Sequence, residues 1–241
     1  GRPLSPMLFI ASAIWYNWEK QMERWGALFD REGGERAVCG QYALWLDNPL
    51  AAQIIDRLNR KSARPFEQGD QRPGMLCPVE HLSDNRLEIN WMRWGFPSPT
   101  GGALIINARC ETAARLPMFR QAVRFGRCLI PSSGFYEWRR LSGGTKSKEK
   151  HFLRQGPIGQ PVYMAGLFAN LPGCAQPCFV ILTQSANAFA ARLHHRMPLI
   201  LPEAGQRRAY LGSEIAARQL MEHPPELNLV EQGGTEQMSF L

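Results

Sequence analysis

From residue 87 onward the chain is a succession of short β-forming runs, and that succession limits the folds open to it. Residues 87–96 alternate apolar and polar, and 104–107 form a short apolar run. Residues 128–130, 134–139, 162–168 and 179–183 are rich in β-branched and aromatic side chains, so each predicts a strand. A further strand is predicted over 39–46 and an extended piece over 198–201. Helical spacing interrupts them at 49–61, 118–125, 187–193 and 213–221, with Ser213 as N-cap of the last. Residues 64–78 read as a Pro- and Gly-rich stretch. Short strands with interleaved helices and little βαβ regularity predict an α+β fold. Its core is expected to be a barrel-like, mixed but mostly antiparallel sheet surrounded by helices.

Residues 7–29 place Ile14, Trp15, Trp18, Met22, Trp25, Leu28 and Phe29 at near-helical spacing, and a polar, Gly-containing joint follows at 31–36. Residues 1–38 therefore read as an N-terminal helical appendage and 39–241 as one domain. The most apolar stretch, 8–16, soon meets Asn17, Glu19 and Lys20, short of the ~20 residues a membrane helix needs. It also lacks a basic lead and a small-residue cleavage site, so a cytoplasmic protein is expected, with monomer as the default state. The six cysteines form no C-x-x-C pair, and burial accounts for all but Cys39, which stays open; no metal and no organic cofactor is expected.

The net charge of +7 is unevenly placed. Residues 109–154 hold eleven Lys and Arg against Glu111, Glu137 and Glu149, an excess of eight. Such a cluster suits a polyanion, because each neutralised phosphate releases counterions; the ordinary alternative is a solvated face.

Three polar islands stand out from the strands: Asn107–Thr112 (NARCET), Gly134–Trp138 (GFYEW) and His194–Pro198 (HHRMP). Singly, each has an ordinary reading: Asn107 closing a turn, Glu137 facing solvent, His194 a satisfied half-buried histidine.

Together with Cys39-Gly40 they resemble the SRAP family (SOS response-associated peptidases, abasic-site processing proteins). The family pattern runs Cys-Gly-Arg, Trp-Gly, Asn-Ala-Arg-x-Glu-Thr, Arg-Cys-Leu-Ile-Pro-x-x-Gly-Phe-Tyr-Glu-Trp, Thr-x-x-Ala-Asn and His-x-Arg-Met-Pro. In the same order this chain offers Cys39-Gly40, Trp94-Gly95, Asn107–Thr112, Arg127–Trp138, Thr183-x-x-Ala186-Asn187 and His194-x-Arg196-Met197-Pro198. It departs at Gln41, where the family usually has Arg, keeping a hydrogen-bond donor but losing charge.

The resemblance implies a sensor of abasic sites in single-stranded DNA that crosslinks itself to the lesion. An N-terminal cysteine presents amine and thiol together; the amine condenses with the lesion's aldehyde to an imine, and the thiol closes a thiazolidine. On this reading Cys39 is the nucleophile, Glu137 the proton shuttle, His194 assists sugar-ring opening and Asn107 holds the amine. Arg109 and Arg196 grip phosphates, as does Gln41 more weakly, while Trp94 and Trp138, with Phe96, are the aromatic surface for DNA. β-Elimination from the imine is an accompanying lyase activity. Two other classes stay open. One is a thiol hydrolase or autopeptidase with Cys39 as nucleophile, His194 as base and Asn107 or Glu137 orienting it. The other is a non-catalytic single-strand binder.

An internal Cys39 has no free amine. Three accounts address this: initiation at Val38 through a GTG codon, a self-cleaved leader, or a member that has lost the crosslinking chemistry. The first is favoured, since 1–36 carry none of the family pattern; the leader is then expected to pack loosely or to cross the cleft.

Overall fold

The computed structural model describes residues 39–45, 49–61, 66, 68–99, 101–140, 148–156, 161–232 and 236–238. The predicted helix over 7–29 and the expectation for the leader lie outside these residues. The chain divides into two units. Of the first, Gly1–Arg36 with Pro97–Ala103, the described part is a turn in which the Gly101 N–H donates to the Ser98 carbonyl at 3.1 Å. The second, Ala37–Phe96 with Leu104–Leu241, carries the fold and is α+β, as its strand pattern predicts.

The second unit opens with β1 (Tyr42–Leu44), α1 (Pro49–Lys61), β2 (Gly69–Gln71), β3 (Leu76–Ser83) and β4 (Arg86–Trp94). Then come β5 (Asn107–Arg109), α2 (Cys110–Ala113), α3 (Pro117–Phe125), β6 (Arg127–Ser132), β7 (Gly134–Arg140) and β8 (Lys148–Gln155). β9 (Val162–Ala169), β10 (Cys178–Ser185), β11 (Arg196–Pro198), α4 (Ala204–Gly212), α5 (Glu214–Glu222), β12 (Leu229–Glu231) and β13 (Glu236–Met238) complete it.

Two sheets result. The first is antiparallel in the order β12-β8-β7-β1-β2, with β13 also on β8. The second runs β11-β10-β4-β3-β6-β9, and β9 pairs back onto β10, so five of its strands close a ring. β10 is parallel to β4 and β5 and antiparallel to β9 and β11, which makes this sheet mixed. The ring is filled by side chains such as Val79, Met92, Met164 and Ile181, all 1% exposed or less. Burial on this scale contributes about 25 cal/mol per Å² of apolar surface.

Local chemistry explains the boundaries. The β3–β4 hairpin turns on Asp84 (φ 48°) and Asn85 (φ 60°), two residue types that tolerate the left-handed region a two-residue turn requires. Pro117 opens α3, where its missing N–H leaves no bond unmade. Ser213 accepts from the Ala216 N–H at 3.3 Å and caps α5, as predicted. Glu203 and Gln206 form a capping box that starts α4, a helix the sequence reading missed.

Three expected elements shrink or change. The strand over 39–46 is confined to Tyr42–Leu44, because Cys39 sits at φ 47° and cannot continue a pleated strand. The helix over 187–193 is a single 3₁₀ turn, Ala190–Arg192. Asn187 accepts the Ala190 N–H at 2.9 Å and donates to the Leu227 carbonyl at 3.3 Å, and the chain then turns into β11. The Pro- and Gly-rich stretch contains the start of β3, one of the longest strands.

Candidate functional site

Cys39 and Gly40 lie just ahead of β1, which pairs with β7 so that Tyr42 faces Phe135 and Ala43 faces Gly134. That register carries Glu137, three residues into β7, up to the cysteine. The Cys39 N–H donates to Glu137 Oε1 at 3.1 Å, and both residues are buried, 1% and 4% exposed. Gly40 lies beside Ile106: a β-carbon on it would sit in ordinary contact, 4.0 Å from Ile106 Cδ1. The segment that leads into Asn107 and β5 is thereby seated beside the cysteine.

Burial pushes the Glu137 carboxyl up to about 7, although backbone N–H groups of Cys39 and Trp138 pull the other way. A carboxyl held there both gives and takes a proton near neutral pH. Burial, and then the Glu137 charge, raise the Cys39 thiol well above its ordinary value. It is a protonated thiol at neutral pH, and its attack on an electrophile requires a base alongside. Among the described residues no cluster of three His, Cys, Asp or Glu side chains is placed to hold a metal. None of the described helices is long and apolar enough to cross a membrane.

A second group of predicted residues gathers at the far end of β10. Asn107 faces Ile181, and Arg109 faces Thr183, which on its other side faces Pro198. Asn107 is half-buried and Arg109 exposed. His194 is half-buried; its Nδ1 accepts the Arg196 N–H at 3.0 Å, so the neutral ring carries its proton on Nε2. Burial, then the neighbouring His195 ring stacked at 4.4 Å, lower the His194 pKa and keep the imidazole neutral. No hydrogen bond joins His194 to Cys39 or Glu137 among the described residues.

Four predicted DNA contacts are corrected. Trp94 is fully buried: its Nε1 donates to the Ile106 carbonyl at 3.1 Å, and its ring meets Tyr42 at 5.1 Å and Phe179 at 6.1 Å. It cannot stack on a base; it braces the segments leading from Cys39 and into Asn107. Phe96, 1% exposed against Phe119, is also core. Arg196 is 8% exposed, and its guanidinium forks onto Glu111 at 2.6 and 2.9 Å while reaching the Thr183 carbonyl at 2.7 Å. Those bonds lower the Glu111 pKa, against the opposing effect of burial, and they take Arg196 away from phosphate. Gln41 is buried and donates to Asp70, an anion that discourages a phosphate at that point.

Asp70 was missed by the sequence reading. It accepts from Gln41, from the Tyr136 hydroxyl at 2.8 Å and from Lys150 at 3.3 Å, and Lys150 also lies 3.7 Å over the Tyr136 ring. In sequence it is one residue of a Gly-Asp turn pattern, with no signal of its partners. Trp138 remains half-exposed beside this cluster, its ring 6.5 Å from Tyr136.

The antiparallel sheet thus sets the Cys39 backbone nitrogen against a buried carboxyl that exchanges its proton near neutral pH. Residues 38–232 match the profile of SRAP, the SOS response associated peptidases, and the chain belongs to that family. The abasic site processing protein YoaM of Bacillus subtilis is 31% identical over 180 residues, 68% of this chain and 75% of its own length. YedK of Escherichia coli, of the same description, is 29% identical over 194 residues, 77% of this chain and 84% of its own. Among solved structures, a phage-related protein from Bordetella bronchiseptica superposes with a TM-score of 0.63 at 23% identity, covering 80% of this chain and 94% of that one. A protein from Bacteroides thetaiotaomicron gives 0.59 at 21% identity, covering 75% and 86%. These two speak for the fold alone.

Proposed function

We propose that this chain processes abasic sites in single-stranded DNA by covalent capture, through Cys39 once that residue is N-terminal. The observation that carries the reading is the 3.1 Å contact between the Cys39 nitrogen and a Glu137 carboxyl whose pKa lies at about 7. Family membership and the names of the similar proteins support it.

A free amine at the Cys39 nitrogen, with a pKa of about 7.7–8.0, has a useful neutral fraction at cellular pH. It adds to the open-chain aldehyde to give a carbinolamine. Glu137, in its acid form, protonates the departing hydroxyl, and water leaves as the protonated imine forms. Cys39 Sγ then adds to the imine carbon as its proton passes to the Glu137 carboxylate, which restores the acid and leaves a neutral N–H thiazolidine. The balance is aldehyde plus aminothiol giving thiazolidine and one water. His194, with Nε2–H outward from its Nδ1 anchor, steadies the furanose oxygen during ring opening, and Asn107 holds the amine. Arg109 and Trp138 are the exposed and half-exposed residues through which the strand is held. If thiazolidine closure is delayed, the imine undergoes β-elimination, which gives lyase activity.

The raised Cys39 thiol weighs against a resting thiolate, and so against a thiol hydrolase. The experiment compares the full chain with a version whose first residue is Cys39, each incubated with single-stranded DNA bearing one abasic site. A denaturing gel and intact mass are expected to show an adduct one water lighter than the sum, from the shorter version only. No adduct from either folded protein would overturn the reading.

A further inference from the structure

A second cavity shares no residue with the site around Cys39. It opens between α1, the β3–β4 hairpin and α4, with about 610 Å³ of open volume, within the range of small-ligand pockets. We propose that it binds a guanine nucleotide. Three features of the cavity support this, and all are independent of the crosslinking reading.

First, its polar centre is a buried carboxyl. Glu80 on β3 is 5% exposed and lines the cavity, and no described residue hydrogen-bonds or ion-pairs with it. Burial raises its pKa, with the fields of Arg57 and Arg207 acting in the opposite direction. A buried carboxylate calls for donors, and it is best served by two parallel N–H groups. Guanine presents such a pair, N1–H and N2–H, on one edge. Adenine puts a ring acceptor at the equivalent position and would face the carboxylate with a lone pair.

Second, the walls suit a flat ring. Ile54 from α1, Leu82 and Leu87 from the hairpin, Leu129 from β6 and Leu211 from α4 surround Glu80. Leu87 is 44% exposed, an apolar side chain left in water at the edge of this cavity. Covering it releases hydration that the free protein retains.

Third, the charge favours an anion. Arg57, Arg207 and Arg208 line the cavity against the single Glu80, an excess of two positive charges. Arg207 is held by the Leu201 and Pro202 carbonyls at 3.1 and 2.5 Å, and its guanidinium lies 4.4 Å over the Tyr163 ring. Arg57 donates to the Leu87 carbonyl at 3.1 Å. Two of the three arginines are thus preorganised while keeping other N–H groups for a phosphate. The same excess disfavours a cationic guanidinium ligand, which would otherwise satisfy Glu80.

The test is calorimetric titration of the full chain with dGMP, dAMP and deoxyguanosine. One saturable site for dGMP is expected, with dAMP at least tenfold weaker. Glu80→Gln replaces one acceptor by a donor and is expected to weaken dGMP tenfold or more. Arg208→Ala, at an exposed position, is expected to weaken dGMP severalfold and to leave deoxyguanosine within threefold; it keeps the test decisive should the Glu80 variant fail to fold. Equal binding of dAMP, no saturable dGMP binding, or unchanged affinity in a folded Glu80→Gln protein would overturn the proposal. An oligonucleotide ending in 5′-phosphorylated dG separates the sources: displacement of dGMP assigns the site to a strand end, and its failure assigns the site to the free nucleotide.

Discussion

The Cys39 nitrogen and the Glu137 carboxylate meet at 3.1 Å across 98 residues of chain. The β1–β7 register enforces the meeting, and burial of the pair sets the protonation of both members. Because the same burial acts on folding and on chemistry, Glu137 has consequences in each.

For stability, the folded-state pKa of about 7 lies above the ordinary 4.5. The folded protein therefore holds the proton more tightly than the unfolded chain. Stability is greatest below pH 4.5 as far as this group is concerned, and falls as pH rises toward 7. The loss is on the order of 3 kcal/mol at alkaline pH. Glu137→Gln removes it, so thermal melts are expected to show the variant gaining on the parent between pH 5 and pH 8. A parallel pH dependence in both proteins would contradict the buried-carboxyl assignment.

In crosslinking, the same substitution keeps the shape and an acceptor but abolishes proton exchange. The rate of adduct formation by the version beginning at Cys39 is expected to fall about 10²-fold or more. Its pH profile should lose the inflection near 7 that the parent shows. Single-turnover gels across pH 5.5–8.5 read both, and an unchanged rate would remove Glu137 from the mechanism.

Arg109 and Arg196 were alike in sequence and are predicted to behave differently. Arg109→Ala is expected to weaken single-stranded DNA binding and to lower the salt slope by about 0.7, one phosphate contact, with little effect on stability. Arg196→Ala breaks a bidentate pair whose Glu111 partner is half exposed, so its cost is about 1–2 kcal/mol after solvent screening. Its salt slope should be that of the parent. Fluorescence anisotropy against salt, with urea melts, separates the two, and a reduced slope in Arg196→Ala would return that residue to the DNA surface.

The helix over 49–61 was legible to its end residues, as was the Ser213 cap, because propensity and capping are local. β8 was not: its charged Lys148, Glu149 and Lys150 fall within the basic stretch of 109–154 and carry no strand pattern. In the fold Glu149 meets Arg139 and His151, and Lys150 meets Asp70, so the charges satisfy one another on a strand. The site shows the same division. Cys39, Asn107, Glu137 and His194 are singled out by the order of the family motifs, which no spacing rule supplies, and of these the fold joins Cys39 to Glu137. Trp94, Arg196 and Gln41 were assigned to DNA because their true partners, Ile106, Glu111 and Asp70, are distant enough in sequence to leave no local trace.

Gln41 offers a direct check on that lesson. Gln41→Arg would restore the family's usual residue, yet Asp70 stands where the new guanidinium would first find a partner. An ion pair with Asp70 is expected, displacing Lys150 from it. Affinity for single-stranded DNA should change by less than threefold, read by anisotropy at fixed salt. A tenfold gain would mean that the added charge reaches phosphate.

His194 is predicted to act before the imine forms. Its Nδ1 is committed to the Arg196 N–H, and burial beside His195 keeps the ring neutral, so it can offer one N–H to a sugar oxygen but cannot serve as a cationic acid. Such a donor matters only while the lesion is ring-closed. His194→Ala in the version beginning at Cys39 should therefore slow crosslinking to abasic DNA about tenfold or more, the loss of one positioned donor. Reaction of the same variant with a small open-chain aldehyde, followed by intact mass, should match the parent within about twofold. Equal slowing with both electrophiles would move His194 to a later step, at the imine or the thiol addition.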